Sequence, residues 1–179
     1  IVPLMQASFP KLAVYGASLR GTLGRGVVNF EAGYYDSRQD RDGSDPLCNN
    51  SELRFLAGYE QEIGKDLTAG VQYYLEHLLD YGEYMRTRLP FGDARDKDRH
   101  LFTLRLTKLL MNQNLALSFF GYYSPTDGDA FLRPHAKYKI DDHWSAELGS
   151  NLFLGESDAS FFGQFEYNSS VYAAVRWAF

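Results

Sequence analysis

The stretch Ser169–Phe179, with the sequence SSVYAAVRWAF, alternates between two kinds of side chain up to its last residue. Counting back from Phe179, one side of an extended strand carries the apolar residues Trp177, Val175, Ala173 and Val171. The other side carries Arg176, Ala174, Tyr172 and Ser170. A period of two residues predicts a β-strand with one apolar face.

The same period recurs along the whole chain. The predicted strands are 10–20, 27–36, 52–62, 67–77, 100–110, 115–123, 130–140, 144–154 and 169–179. Each is about 9–11 residues long, the length with which a tilted strand crosses a lipid bilayer. No segment shows a convincing helical period. We therefore expect an all-β fold, with residues 1–179 in a single domain.

Composition restricts the class of protein further. No run approaches the roughly 18 apolar residues of a transmembrane helix, and the mean hydropathy is -0.36. A membrane-spanning β-barrel is compatible with this value because its strands alternate between apolar and polar residues. Aromatic residues make up 16% of the chain, and membrane barrels use them in interfacial girdles. The net charge of -5 and the absence of a dense Lys/Arg run argue against a nucleic-acid partner.

The connections between the predicted strands tend to alternate in length. Short turns are predicted at Gly21–Gly26, Gly64–Asp66, Asn112–Asn114 and Asp141–His143. The segments between them are Ser37–Ser51, Leu78–Arg99, Ser124–Asp129 and Gly155–Asn168. Ser124–Asp129 is no longer than the first turn, so the alternation is imperfect. Short periplasmic turns and longer extracellular loops are typical of outer-membrane barrels.

The polar side of each strand decides which way the sheet faces. It carries charged residues in mid-strand together with Gly and small residues, as the wall of a water-filled lumen would. The predicted pore-lining residues are Glu31, Arg54, Glu60, Gln72, Glu76, Arg105, Arg133, His135, Lys137, Lys139, Glu147 and Arg176. On the opposite side, aromatic residues toward the strand ends predict interfacial girdles: Tyr34, Tyr59, Tyr73, Tyr138, Trp144 and Trp177.

The last strand resembles the C-terminal signature of Gram-negative outer-membrane proteins, a terminal aromatic residue preceded by apolar residues at every second position. The resemblance implies a porin-like, antiparallel up-and-down transmembrane β-barrel in the bacterial outer membrane. It also implies that Trp177 and Phe179 form the signal read by the barrel-assembly machinery. The architectural likeness covers the whole chain, but the motif covers only Ser169–Phe179. A soluble sandwich or lipocalin-like domain is the alternative.

Nine predicted strands do not match the even strand number of bacterial single-chain barrels. We expect an odd number of strands to precede Ile1 in the intact protein, with Ile1–Phe9 as the tail of an extracellular loop marked by Pro3 and Pro10. The alternative is one strand missed or wrongly assigned, giving a barrel of eight or ten strands.

The predicted lumen charges are segregated, with acidic residues on the second to fourth strands and basic residues on the fifth, seventh and ninth. Such an arrangement produces a transverse field that favours anionic solutes. The alternative is ordinary salt bridges filling a narrow or plugged interior. We therefore predict a channel for passive diffusion of small polar or anionic solutes, or else a structural barrel that sheathes or anchors a partner complex.

Three further features lie in the predicted loops: an acidic cluster, a basic segment and the single cysteine. Asp40, Asp42 and Asp45 surround a glycine, as in a calcium-binding turn, or else form a solvated acidic tip. The basic segment Leu78–Arg99 either folds inward as a constriction, meets lipopolysaccharide phosphates, or is a mobile solvated loop. Cys48 is the single cysteine, so it is free or pairs with another chain.

Neither a catalytic nor a cofactor motif is present. No nucleophile has an evident base partner among the four histidines, so we expect no enzyme activity and no cofactor. The expected partners are outer-membrane lipid and lipopolysaccharide, with the assembly machinery during biogenesis, and an oligomer is compatible with the sequence.

Overall fold

The computed structural model describes residues 9–90 and 93–179. Nine β-strands form one antiparallel sheet in chain order, and each strand pairs with the next. They are β1 (Leu12–Leu23), β2 (Gly26–Ser37), β3 (Glu52–Gly64), β4 (Leu67–Leu78), β5 (Asp98–Leu110), β6 (Leu115–Ser124), β7 (Asp129–Lys139), β8 (Trp144–Gly155) and β9 (Ser170–Trp177). The predicted all-β, antiparallel up-and-down arrangement is confirmed. Residues 1–8, including Pro3 of the predicted loop tail, lie outside the described residues.

The first turn is tighter than predicted. β1 continues through Gly21 to Leu23, which pairs with Gly26, so only Gly24 and Arg25 connect the two strands. Gly24 has a φ of 60°, a left-handed conformation that tight hairpin turns require and that glycine adopts without strain.

The sheet is open within the part of the chain that the structure describes. β1 pairs with β2 alone and β9 pairs with β8 alone, so these two strands form the edges. Since every neighbouring pair is antiparallel, β1 and β9 run in the same direction.

A short helix corrects the expectation that the chain has none. Helix α1 covers Tyr81–Thr87 in the segment between β4 and β5. It begins after Asp80, which has a φ of 52°, and Arg86 forms an ion pair with Glu83 at 2.8 Å. A helix of two turns is too short to show the repeated apolar spacing on which a sequence prediction depends.

A 3₁₀ helix over Gly163–Asn168 lies between β8 and β9 and packs against β8. None of the helices among the described residues has the length and apolar character needed to cross a membrane.

One face of the sheet is apolar and uncovered. The exposed fraction is 69% for Leu19, 52% for Val71 and 74% for Val171, which lie on β1, β4 and β9. Among the described residues only Leu78 and Leu101 are buried hydrophobic side chains. The described residues therefore form no apolar core of the kind that a second layer would create.

Gly155 provides a test of how the segment after β8 is held. A Cβ at Gly155 would overlap the Cα of Gly163 and lie 2.9 Å from its amide nitrogen, whereas a Cβ at Gly21 would meet nothing within 4 Å. We expect Gly155→Ala to lower the free energy of unfolding by about 1–3 kcal/mol because the added methyl displaces backbone. Gly21→Ala is the matched control and should change it little. Urea unfolding in detergent micelles measures both, and equal effects would contradict the packing of Gly155 on Gly163.

Candidate functional site

The pairing register sorts the side chains of all nine strands into two faces. Residues paired across neighbouring strands point to the same side of a sheet, and successive residues point to opposite sides. By this rule one side, called here the polar face, carries every predicted pore-lining residue: Glu31, Arg54, Glu60, Gln72, Glu76, Arg105, Arg133, His135, Lys137, Lys139, Glu147 and Arg176. The predicted girdle residues Tyr34, Tyr59, Tyr73, Tyr138, Trp144 and Trp177 lie on the opposite, apolar face.

The polar face is concave. A depression of about 340 Å³ is lined by residues of six consecutive strands, from Arg20 on β1 through Glu60 and Gln72 to Phe120 on β6. Strands that distant in the sheet line a common depression only if the sheet curls around it. The apolar face is therefore on the convex side.

Arg99 is the centre of an ion-pair network at the end of the sheet with the longer loops. Its guanidinium donates to Asp127 at 2.6 Å, to Glu76 at 3.3 Å and to the Tyr122 hydroxyl at 3.2 Å. The sequence analysis places Arg99 at the end of the segment Leu78–Arg99. Its even spacing from Thr103 and Arg105 continues the alternation of β5, and this spacing is the signal that could have placed it on the polar face.

The network extends to β3. Arg54 lies 3.8 Å from Glu76 and donates to Glu52, which also accepts from Arg95 at 3.0 Å. The Arg54 guanidinium lies over the Tyr35 ring at 4.1 Å from its centroid. Arginines and carboxylates thus alternate along this end, and Glu52 and Glu76, two carboxylates of the predicted acidic side, are paired with arginines of the same or a neighbouring strand and of the loop before β5.

A second cluster surrounds Glu147 on β8. Its carboxylate lies 3.4 Å from Lys137, 3.3 Å from Arg176 and 3.9 Å from His135. Lys139 pairs instead with Asp142 in the turn after β7, at 2.7 Å. The basic residues of β7 and β9 are thus largely engaged with carboxylates.

Arg105 and Arg133 have no hydrogen-bond or ion-pair partner among the described residues, and we call them the free arginines. Both are exposed. Each is paired in register with Phe120, so the three residues form one row across β5, β6 and β7 at mid-strand. Two strand spacings separate the arginine Cα atoms by roughly 10 Å. A positive charge without a carboxylate partner is available to a solute anion.

Pro134 interrupts the hydrogen-bond ladder beside Arg133. The paired register between β7 and β8 resumes at His135 after a break over Arg133 and Pro134. Proline has no N–H to donate to a neighbouring strand.

The segment 156–169 folds over the polar face at the loop end. The Phe162 ring lies 4.6 Å from Tyr122, 5.2 Å from Phe131 and 6.0 Å from Phe153, measured between ring centroids. The Phe162 amide also donates to the carboxylate of Asp129 at 2.7 Å. The sequence pointed to Leu78–Arg99 as the segment able to fold inward and missed this one, although its several phenylalanines were a visible signal.

The arrangement of three side chains on the polar face is similar to that of a Ser–His–acid triad of hydrolases: Ser118, His135 and Glu147. The Ser118 Oγ lies 3.4 Å from the His135 Nδ1, and Glu147 lies 3.9 Å from the other ring nitrogen. Both distances are long for hydrogen bonds, and Glu147 is engaged with two cations. These three residues therefore lack the short hydrogen bonds of a catalytic triad.

The acidic loop between β2 and β3 uses its carboxylates internally. Asp40 is buried and accepts the amides of Ser44 and Asp45, each at 3.1 Å, around Gly43 with its φ of 71°. The Ser44 hydroxyl donates to Asp42 at 2.9 Å and lowers the pKa of that carboxyl. Within the described ranges no group of acidic, histidine or cysteine side chains is arranged to hold a metal ion.

The aromatic residues of the predicted assembly signal are accessible. Trp177 lies on the apolar face, 6.5 Å from Trp144 and 5.4 Å from Phe179 between ring centroids, and Phe179 is fully exposed.

Comparisons with protein-family models, with curated proteins and with solved structures find no match to this chain. Its fold and site therefore define its class. It is an antiparallel up-and-down β-sheet protein with a concave polar face and an uncovered apolar face.

Removing Arg99 tests the ion-pair network. We expect Arg99→Ala to lower the free energy of unfolding by about 1–3 kcal/mol, because Asp127 and Glu76 lose a charged hydrogen-bond donor while partly buried. Arg86→Ala removes an exposed ion pair on α1 and should cost less than about 0.5 kcal/mol. Thermal and urea unfolding in micelles provide the comparison, and indistinguishable variants would show that the network contributes nothing to stability.

Proposed function

We propose that this sheet is part of the wall of a bacterial outer-membrane channel, with its polar face toward a water-filled lumen and its apolar face in lipid. The channel admits small polar or anionic solutes by passive diffusion. The observation that carries the proposal is the polarity of the curved sheet, apolar on its convex side and polar on its concave side. A compact soluble barrel has the reverse polarity.

The uncovered apolar face supports lipid as the surrounding medium. Each Å² of apolar surface left in water costs about 25 cal/mol relative to an apolar environment. Exposed side chains such as Leu19, Phe30, Val71, Leu148 and Val175 extend from β1 to β9. Because no second layer within the described residues covers these side chains, hydrocarbon is the medium that removes the cost along the whole sheet.

The edges of the sheet set a condition on this proposal. An unpaired backbone group in hydrocarbon costs several kcal/mol, so β1 and β9 must be paired in a bilayer. Since they run in the same direction, a closed antiparallel barrel needs an odd number of further strands between them.

The free arginines support a preference for anions. Arg105 and Arg133 lie at mid-strand on the polar face, and no carboxylate lines the depression that they share. A cation that is not neutralised by the wall attracts mobile anions and lowers the barrier to their passage.

Reversing the two free charges tests the channel. We expect Arg105→Glu together with Arg133→Glu to shift the reversal potential in a salt gradient toward cation selectivity. The measurement is single-channel recording in planar bilayers at low ionic strength, where screening is weak.

Lys65→Glu is the matched control for this experiment. It reverses one positive charge, as each replacement of the double variant does, but in the turn between β3 and β4, away from the polar face, and should leave the selectivity unchanged. Unaltered selectivity in the double variant would show that the free arginines do not set the ion selectivity. An absence of conductance in the wild-type protein would instead favour the sheath or scaffold function.

Cys48 tests the membrane placement. It lies in the loop between β2 and β3, on the side of the longer loops, which we propose to be extracellular. We expect a membrane-impermeant maleimide to label Cys48 in intact cells, whereas Lys65→Cys in a Cys48→Ser background should be labelled only after lysis. Partial desolvation and the neighbouring Asp45 carboxylate raise the pKa of the Cys48 thiol, so labelling should be faster at mildly alkaline pH. The opposite pattern of labelling would invert the proposed topology.

A further inference from the structure

Aromatic rings accompany the free arginines on the polar face. Phe120 stands between Arg105 and Arg133 in register, and Phe131 lies 6.3 Å from Phe120 between ring centroids. Both rings are half-buried, so part of each is open to a solute.

These residues share one depression of about 460 Å³, which Ser118 and His135 also line. Its volume is in the range of small-molecule sites, which combine an apolar wall with a few polar groups that fix orientation. Here the wall is aromatic and the polar groups are two guanidiniums, the hydroxyls of Thr107 and Ser118, and an imidazole.

The charge around this depression distinguishes it from its neighbour. The adjacent 340 Å³ depression contains two carboxylates, Glu31 and Glu60, together with Arg20, and Arg105 lines both depressions. The 460 Å³ depression contains Arg105 and Arg133 and no carboxylate. Of the arginines on β5 to β9, Arg99 and Arg176 are held by carboxylates, which leaves these two for a ligand.

We infer that the depression between Arg105, Phe120 and Arg133 binds aromatic carboxylates. A guanidinium binds a carboxylate through paired, charge-assisted hydrogen bonds, and the ligand ring packs on Phe120 and Phe131. Acetate can form the hydrogen bonds to the guanidinium but has no ring to pack. Benzamide has the ring but no carboxylate. Inorganic phosphate has no apolar body for the rings to bind. Selection of these anions during transport rests on the proposed channel function, whereas the binding itself does not.

The experiment measures binding and conductance separately. Benzoate, benzamide and acetate are titrated against the full chain refolded in detergent micelles, with ligand-observed NMR as the readout, and against the current in planar bilayers. We expect benzoate to bind at least about tenfold more tightly than acetate or benzamide.

Variants locate the site. Arg105→Gln and Arg133→Gln should each weaken benzoate binding about tenfold or more, and Arg133→Lys, which keeps the charge, should restore part of it. Phe120→Leu should reduce the preference for benzoate over acetate about threefold or more. Lys139→Gln, the same change of charge on the polar face outside the depression, is the matched control. Circular dichroism verifies that each variant has folded.

The outcomes separate the two proposals. Equal binding of acetate and benzoate, or benzoate binding unaffected by the two glutamine variants, would overturn the aromatic-carboxylate site even if the protein conducts ions. Benzoate binding lost in those variants, from a protein that conducts no ions, would keep the site and overturn the channel.

Discussion

The constraint on which this structure depends is the in-phase alternation of side chains along hydrogen-bonded strands. Because paired residues share a face, nine strands in register add their apolar residues into one continuous surface and their polar residues into another. A slip of one residue in any pairing would place a strand's apolar set on the polar side. The register therefore specifies both surfaces at once. The curvature then decides which of them encloses a space.

Arginines on the concave face are arranged in two ways. Those paired with carboxylates contribute to stability, and those without a carboxylate partner are available for function. At the loop end, Arg99 and Arg54 are held between carboxylates, which joins β3, β4 and β5 to the loops above them. At mid-strand, Arg105 and Arg133 are unpaired. Paired charges fix geometry and present little net field, whereas unpaired charges cost the fold some repulsion and remain available to solutes.

The segment after β8 adds a third element to this face. Phe162 packs among aromatic rings of β6, β7 and β8, and Asp129 holds its amide. Asp129 is buried, and one of its carboxylate oxygens has no hydrogen-bond partner among the described residues, so that attachment carries an electrostatic cost. This segment covers the polar face directly above the row that contains Phe120. In the proposed channel, a solute from the loop side meets Phe162 before it meets the free arginines.

The sequence by itself determined the strands, their approximate bounds and the two faces, because alternation is a local property that each segment such as Ser169–Phe179 carries on its own. The same reasoning placed the predicted pore-lining residues on a common face. It could not reveal helix α1, the partners of Arg99, the inward position of Phe162, or which arginines are left free. Those features depend on the register between strands and on loops that bring distant residues together. Only the tertiary structure decides which charges are neutralised, and so which remain for a ligand.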